Sequence, residues 1–189
     1  MTKILRKSIF AGFLISIASL TFLKCENKTI GAFLFSLGLI GVILLDAYLY
    51  TGKIGYINSK SIGFCIYILI GNLIAAVLCG YLFRLIYGPS TIMDLKLEKD
   101  LLVVFLDAIF CGVCIYLAVE CFKTSSKIIC IILPIMVFIL GGGEHCIADA
   151  FYWAATDFSL AGACYLLIII LGNSLGSLIT RVLQIGFGR

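Results

Sequence analysis

The sequence predicts an all-α membrane protein of six transmembrane helices, arranged as an inverted 3+3 repeat with helices 2 and 5 broken, and three observations lead there. The 189-residue chain is 62% hydrophobic, with only 14 basic and 10 acidic residues, and its mean hydropathy is +1.18. A water-facing surface cannot be built from that composition, which excludes a two-domain soluble enzyme, a disordered chain and a nucleic-acid binder. Six apolar segments recur along the chain, each near the ~20 residues that cross a hydrocarbon core of about 30 Å. Interruptions of matching kind fall in the second and fifth segments.

The spans read as Ser8 to Leu23, Ile30 to Tyr50, Ser61 to Phe83, Leu101 to Phe122, Ile128 to Trp153 and Phe158 to Thr180. The first follows basic residues and imitates a secretory signal. No small-x-small cleavage site precedes Lys24-Cys25-Glu26, so it is read as a transmembrane helix. In the second, Leu45-Asp46-Ala47-Tyr48 to Thr51-Gly52 places an acid and polar-capable groups where a plain membrane helix carries leucines. In the fifth, Pro134 precedes Gly141-Gly142-Gly143 and Glu144-His145. Each glycine forfeits about 1 kcal/mol of helix propensity, and non-helical backbone at membrane depth is tolerated only beside a watery cavity or buried in protein.

A further match supports the repeat: Gly71-Asn72 in the third span is answered by Gly172-Asn173 in the sixth. Residues 1–189 therefore read as one transmembrane domain, with halves of about 1–90 and 91–189, whose interrupted helices meet near the midplane.

Basic residues outside the spans set the orientation. One side holds Lys3, Arg6, Lys7, Lys53, Lys60, Lys123, Lys127, Arg181 and Arg189. The other holds Lys24, Lys28, Arg84, Lys96 and Lys99, offset by Glu26, Asp94, Glu98, Asp100 and Asp157. Both termini are therefore expected in the cytoplasm, in a multi-pass protein of the cell membrane.

Ionisable groups inside the spans are Asp46, Asp107, Glu120, Glu144, His145 and Asp149. Each costs about 2.5 to 3.5 kcal/mol at a bilayer centre and needs a partner, a cavity or a helix end. His145 is the single histidine and follows the glycine triplet directly. It is either an imidazole satisfied by a neighbouring carboxylate or, at a helix break near neutrality, a group that exchanges protons with a passing molecule; the pore-lining role is preferred. Asp149, four residues on, shares its helical face and would hold or tune its proton. Glu144, about 100° around the helix from His145, has a hydrogen-bonding role. Thr51, Asn72 and Asn173 offer hydroxyl and amide groups to replace water around a permeant, with helix-helix glue as the competing role for the two asparagines.

Nine cysteines, at least seven of them inside apolar segments, read as small hydrophobes. Cys111 and Cys114 form a CxxC without the polar surroundings or further ligands that redox or metal chemistry requires. No metal site, no cofactor and no nucleic-acid partner is expected.

The stretch Gly143-Glu144-His145-Cys146-Ile147-Ala148-Asp149 resembles the GFEHSxAN motif of the formate/nitrite transporter family. Phe35-Ser36-Leu37-Gly38 through Ala47, Leu49 and Thr51-Gly52 resembles the family's LxxGAELFTGN. Ala108 to Cys114 with Leu117-Ala118 resembles Gxx(C/A)NxxVCLA, and the Gly-Asn pairs match those of the third and sixth helices. The resemblance implies an aquaporin-like fold, a homopentamer with one pore per protomer, and passage of small monovalent weak-acid anions such as formate, nitrite, hydrosulfide or lactate. It implies His145 as the central histidine, Thr51 as the facing threonine of the broken second helix, and a vestibule lysine, for which Lys96 and Lys99 are the candidates. Departures are Asp46 and Tyr48 for the family's Gly and Glu, Gly112 for an Asn, and Asp149 for an Asn.

The expected function is thus a membrane channel or transporter for the anion or its neutral acid, proton-coupled through the pore histidine, and not an enzyme. A neutral-solute pore with a structural His145 is the alternative, and a thiol-redox protein using Cys111 and Cys114 is a third reading. The predicted helix breaks are Gly52, Gly141, Gly142 and Gly143.

Overall fold

The computed structural model describes residues 2–58 and 61–185, so Lys60 and Arg189, counted above for orientation, lie outside the described residues. Nine helices are found there: α1 Thr2–Lys24, α2 Lys28–Leu44, α3 Tyr50–Ile54, α4 Ile62–Tyr87, α5 Ile92–Leu97, α6 Leu101–Ser125, α7 Ile129–Leu140, α8 Cys146–Ala155 and α9 Leu160–Ile185. No strand occurs among the described residues.

Helices α1, α4, α6 and α9 are long and apolar enough to cross a membrane, with 23, 26, 25 and 26 residues. The apolar helices α2 and α7 are shorter, at 17 and 12 residues. A non-helical stretch and then a short helix follow each of them. The predicted second span, Ile30 to Tyr50, covers most of α2 and stops where α3 begins, and the predicted fifth, Ile128 to Trp153, covers α7 and most of α8.

Local chemistry explains where each helix stops. Asn27 starts α2 by accepting from the Thr29 and Ile30 amides, both at 3.0 Å, as a helix cap should. Beyond Leu44 the chain turns, with Asp46 in the left-handed region at φ 49°. The Tyr48 amide bonds to the Lys7 carbonyl at 3.2 Å, and Asp46 pairs with the Lys7 ammonium, so α1 pins the interruption. Gly52 was expected at this break; it lies instead inside α3. The chain leaves helical geometry earlier, at Leu45 to Leu49, because that is where partners outside the helix satisfy the backbone. Pro134 sits within α7 without ending it. The glycines end it: Gly141 is its C-cap, Gly142 adopts φ 83°, and the Gly143 amide returns to the Phe138 carbonyl at 2.7 Å.

Small residues let the helices approach closely. Helix α1 packs on α2 and α4, α6 packs on α7 and α9, and α2 meets α7. A Cβ added at Gly12 would lie 2.5 Å from the Asn72 carbonyl oxygen, and one at Gly112 would lie 2.2 Å from that of Asn173. Buried serines on α1 return their hydroxyls to the helix, as Ser16 does to the Gly12 carbonyl at 2.8 Å. The short helices cross over: α8 packs against α4, and α3 contacts α9. Large apolar side chains such as Phe13, Leu78, Leu102 and Leu171 stay exposed on the outside, as lipid or a neighbouring subunit would require.

Candidate functional site

The two interruptions meet in the core. Helix α3 begins at Tyr50 after Leu49, whose side chain cannot cap it. Asn72 supplies the missing acceptor: its Oδ1 accepts from the Tyr50 amide at 2.8 Å, and its Nδ2 donates to the carbonyls of Tyr48 at 2.9 Å and Ser8 at 2.6 Å. Asn173 does the same for α8. Its Oδ1 accepts from the Cys146 amide at 2.9 Å, and its Nδ2 donates to the carbonyls of Glu144 and Ala108, both at 2.8 Å. Both asparagines are wholly buried, and all their donors and acceptors are spent on backbone. Sequence reading leaves a pore amide and helix-helix glue as competing roles for them; their hydrogen bonds hold the interruptions in place, where an opened helix leaves backbone groups that need partners.

His145 is the N-cap of α8 and carries out the local half of the same task. Its Nδ1 accepts from the Ala148 amide at 3.3 Å, which leaves the proton of the neutral ring on Nε2. Nε2 lies 3.0 Å from the Thr51 hydroxyl and donates to it. The ring also stacks on Phe138 at a centroid distance of 6.3 Å. Thr51 and His145 are 1% and 2% exposed, and they join residues 94 positions apart.

A cavity of about 390 Å³ opens on one side of this pair, lined by Lys28, Phe35, Lys96, Lys99, Phe138, Gly142, Gly143, Glu144, His145 and Asp149 among others. A second, of about 340 Å³, lies toward the opposite end of the bundle and is lined by Leu39, Asp46, Leu49, Gly52, Lys53 and Lys123 among others. Phe35 and Leu39 stand one helical turn apart on α2, each facing a different cavity. With Phe138, which meets Phe35 edge-on at 6.2 Å, and Leu49 they are at most 4% exposed. These four apolar side chains thus stand between the two cavities, with one imidazole and one hydroxyl beside them.

Charge concentrates in the first cavity. Glu144, 1% exposed, pairs with the Lys96 ammonium, with Lys99 at 2.7 Å, and accepts from the Tyr165 hydroxyl at 3.1 Å. Lys99 also pairs with Asp107 at 3.2 Å. Lys96 reaches Asp149 Oδ1 at 2.9 Å, yet neither Asp149 oxygen receives an aligned hydrogen bond among the described residues. Burial opposes the Lys96 charge, but the carboxylates of Asp149 and Glu144 outweigh it and hold its pKa above the ordinary lysine value. Lys99 follows the same pattern: burial opposes the charge and Glu144 more than restores it. Both vestibule candidates therefore reach the cavity, but each is already occupied by carboxylates. Lys28, which was counted only for orientation, lines this cavity and has no ion pair among the described residues.

Asp149 was expected to hold the His145 proton. Their side chains share no hydrogen bond among the described residues, and only the backbone joins them, the Asp149 amide donating to the His145 carbonyl at 2.9 Å; the carboxylate turns to Lys96 instead, and the His145 ring reaches across to Thr51. Cys111 and Cys114 are buried in α6, and no cluster of metal-ligating side chains occurs among the described residues.

The family model described as formate/nitrite transporter matches residues 1–185. The chain belongs to the formate/nitrite transporter family. Among solved structures it is similar to an "FNT family ion channel", with a TM-score of 0.81 and 20% identity over 98% of this chain and 88% of that one. It is also similar to a "Pentameric formate channel with formate bound", with a TM-score of 0.79 and 20% identity over 98% of this chain and 94% of that one. No curated protein matches the sequence. The family assignment makes this a membrane protein with a channel fold, all-helical over the described residues.

Set in that family, the departures of this member have local reasons. Gly112 stands where any side chain would strike the Asn173 carbonyl. Asp46 sits at an exposed edge on Lys7, and Tyr48 lies under the Lys7 and Lys53 ammonium groups at 4.8 and 5.1 Å. Sequence reading missed α5, the helix that carries Lys96. It also missed Arg181, whose guanidinium donates to the Gly55 and Ile57 carbonyls at 3.0 and 3.1 Å just past α3. Neither contact leaves a trace in local periodicity.

Proposed function

We propose that this family member is a channel or transporter that moves small monovalent weak acids, of the formate or hydrosulfide kind, together with a proton. The observation that carries the reading is the Thr51–His145 hydrogen bond of 3.0 Å at the barrier between two cavities. A bare anion in an apolar constriction costs tens of kcal/mol by an idealised Born estimate, whereas its neutral acid needs only hydrogen-bond partners. His145 Nε2–H and the Thr51 hydroxyl supply one donor and one donor-acceptor at that point.

The acid crosses either already protonated or after receiving a proton relayed by His145. In the relay the ring takes a proton at Nδ1 from the cavity that His145 lines, releasing the Ala148 amide, gives one from Nε2 to the anion, and then loses the Nδ1 proton as Nε2 is reprotonated, which restores the starting tautomer and the Ala148 bond. The ring is neutral before and after. Of the two short helices only α8, with 10 residues, is long enough to present a useful positive end; α3 has 5. Helix dipoles therefore act at His145 from one side.

The assembly is a homopentamer in the cell membrane with both termini cytoplasmic, built from two inverted halves. The pentameric formate channel of similar fold, the excess of basic residues on the terminal side, and the parallel roles of Asn72 and Asn173 support this. The test is uptake of formate, nitrite and hydrosulfide into liposomes at several pH values, with His145→Ala alongside. Flux should rise as external pH falls and collapse in the variant. Flux indifferent to pH and to His145 would favour a neutral-solute pore.

A further inference from the structure

Asp149 is the buried charge whose place the function above leaves unexplained. It is 1% exposed, lines the Lys96 cavity, and its oxygens receive no aligned hydrogen bond among the described residues. Its partner is the Lys96 ammonium at 2.9 Å, which also holds Glu144 and stands 5.6 Å above the Tyr152 ring. Lys28 also lines the cavity, outside any ion pair among the described residues; the remaining charges of the Lys96 cluster are Lys99 on Glu144 and Asp107, with the Tyr165 hydroxyl donating to Glu144. Two ammonium groups thus face three carboxylates. Remove the Asp149 charge and the cluster is balanced, with one face of Lys96 free.

We propose that Asp149 sets the charge selectivity of this cavity. By occupying Lys96 it prevents that lysine from pairing with an entering anion, so an anion that reaches the cavity past Lys28 gains no cation at the Lys96 cluster, and a weak acid passes there in its uncharged form. The inference rests on the weak-acid reading and decides where the proton joins: in the outer solution, before the constriction. His145 and Thr51 then only hydrogen-bond the acid as it passes. The physical reason is competition. An anion binding Lys96 would have to displace a carboxylate that is covalently part of α8 and has no other cation within reach. With Asn at this position the amide cannot neutralise the ammonium, and an anion at Lys96 competes with Glu144 alone, which Lys99 also holds.

The test uses the full chain in liposomes, with formate as the probe, measuring initial uptake while pH and total formate are varied independently. For the wild type, rates plotted against the concentration of the uncharged acid should fall on one curve at every pH. In Asp149→Asn the curves should separate. At the alkaline end, flux per unit of uncharged acid should rise about tenfold, the effect of one decade in anion affinity. The double variant Asp149→Asn with Lys96→Met should lose that gain. Retained oligomer size and melting temperature confirm folding, and Asp149→Ser serves in place of the amide if it misfolds. Wild-type curves that separate by pH overturn the inference, as does a substituted protein whose curves coincide with the wild type. Wild-type liposomes that take up no weak acid in either form overturn the transport reading as well, so the two failures are told apart.

Discussion

Asn72 and Asn173 do the same work in the two halves of the chain: each accepts from the first amide of a short helix and donates to the carbonyl two residues before it. A break in a membrane helix exposes backbone groups that lipid cannot satisfy, so one amide side chain must both cap and brace it. Truncation to Ala leaves the amide and the carbonyl at the break without the asparagine, while the third partner, the Ser8 or Ala108 carbonyl, keeps its place inside α1 or α6. Asn72→Ala and Asn173→Ala should each lose at least about 1–3 kcal/mol, read as a lowered melting temperature in detergent. Asp at either position keeps the acceptor but loses the donors, and should recover only part of the loss.

The Thr51–His145 contact separates structure from transport. His145→Asn can still cap α8, so its stability should stay within about 1 kcal/mol of wild type while uptake falls. His145→Ala should lose both. Thr51→Ser should retain flux and Thr51→Val should not, since only the hydroxyl can accept from Nε2.

Two glycines should respond differently to Ala. At Gly142 the φ of 83° strains any L residue, but a Cβ there meets nothing within 4 Å, so the cost should be about 1–2 kcal/mol. At Gly112 the Cβ would lie 2.2 Å from backbone, which cannot swing aside. Gly112→Ala should cost roughly 3 kcal/mol or more and impair assembly of α6 against α9. Thermal unfolding of the two variants side by side checks the order.

Lys96 should give the protein an alkaline limit. Its pKa is raised in the folded chain because the carboxylates of Asp149 and Glu144 outweigh burial. Its stabilising contribution is therefore complete below the unfolded lysine value of about 10.4 and is lost as pH rises through the folded value. Melting temperature against pH should show no loss from Lys96 at neutral pH and a fall on the alkaline side. Lys96→Gln should lower stability at neutral pH, by about 3–5 kcal/mol, because it strands the buried Asp149 carboxylate and leaves Glu144 to Lys99 and Tyr165, and should flatten the alkaline fall.

Arg181 should matter to Thr51 at a distance. Its bonds to the Gly55 and Ile57 carbonyls tie the chain after α3 to α9. Arg181→Lys keeps the charge but cannot present the same planar fork. Uptake should fall several-fold in Arg181→Ala with little change in melting temperature, and Arg181→Lys should rescue it only in part.

Composition alone decided that this chain lives among apolar neighbours, because so few charges cannot clothe a water-facing surface. Order along the chain decided more. The three consecutive glycines before His145 mark a helix end, since nothing local offsets their lost propensity, and the Gly143 to Asp149 motif names the family. Helix breaks are local events, and local events are written in consecutive residues. Partnership is not. Thr51 and His145 lie 94 residues apart, and Asp149 has its helical neighbour His145 within easy reach by periodicity, yet pairs with Lys96 on a separate helix. A linear reading leaves the asparagines between pore amides and helix glue, and only the fold shows which backbone groups they brace. Which of several polar groups a buried side chain satisfies depends on where distant helices bring their backbones, and close packing through Gly12 and Gly112 settles that only once the chain has folded.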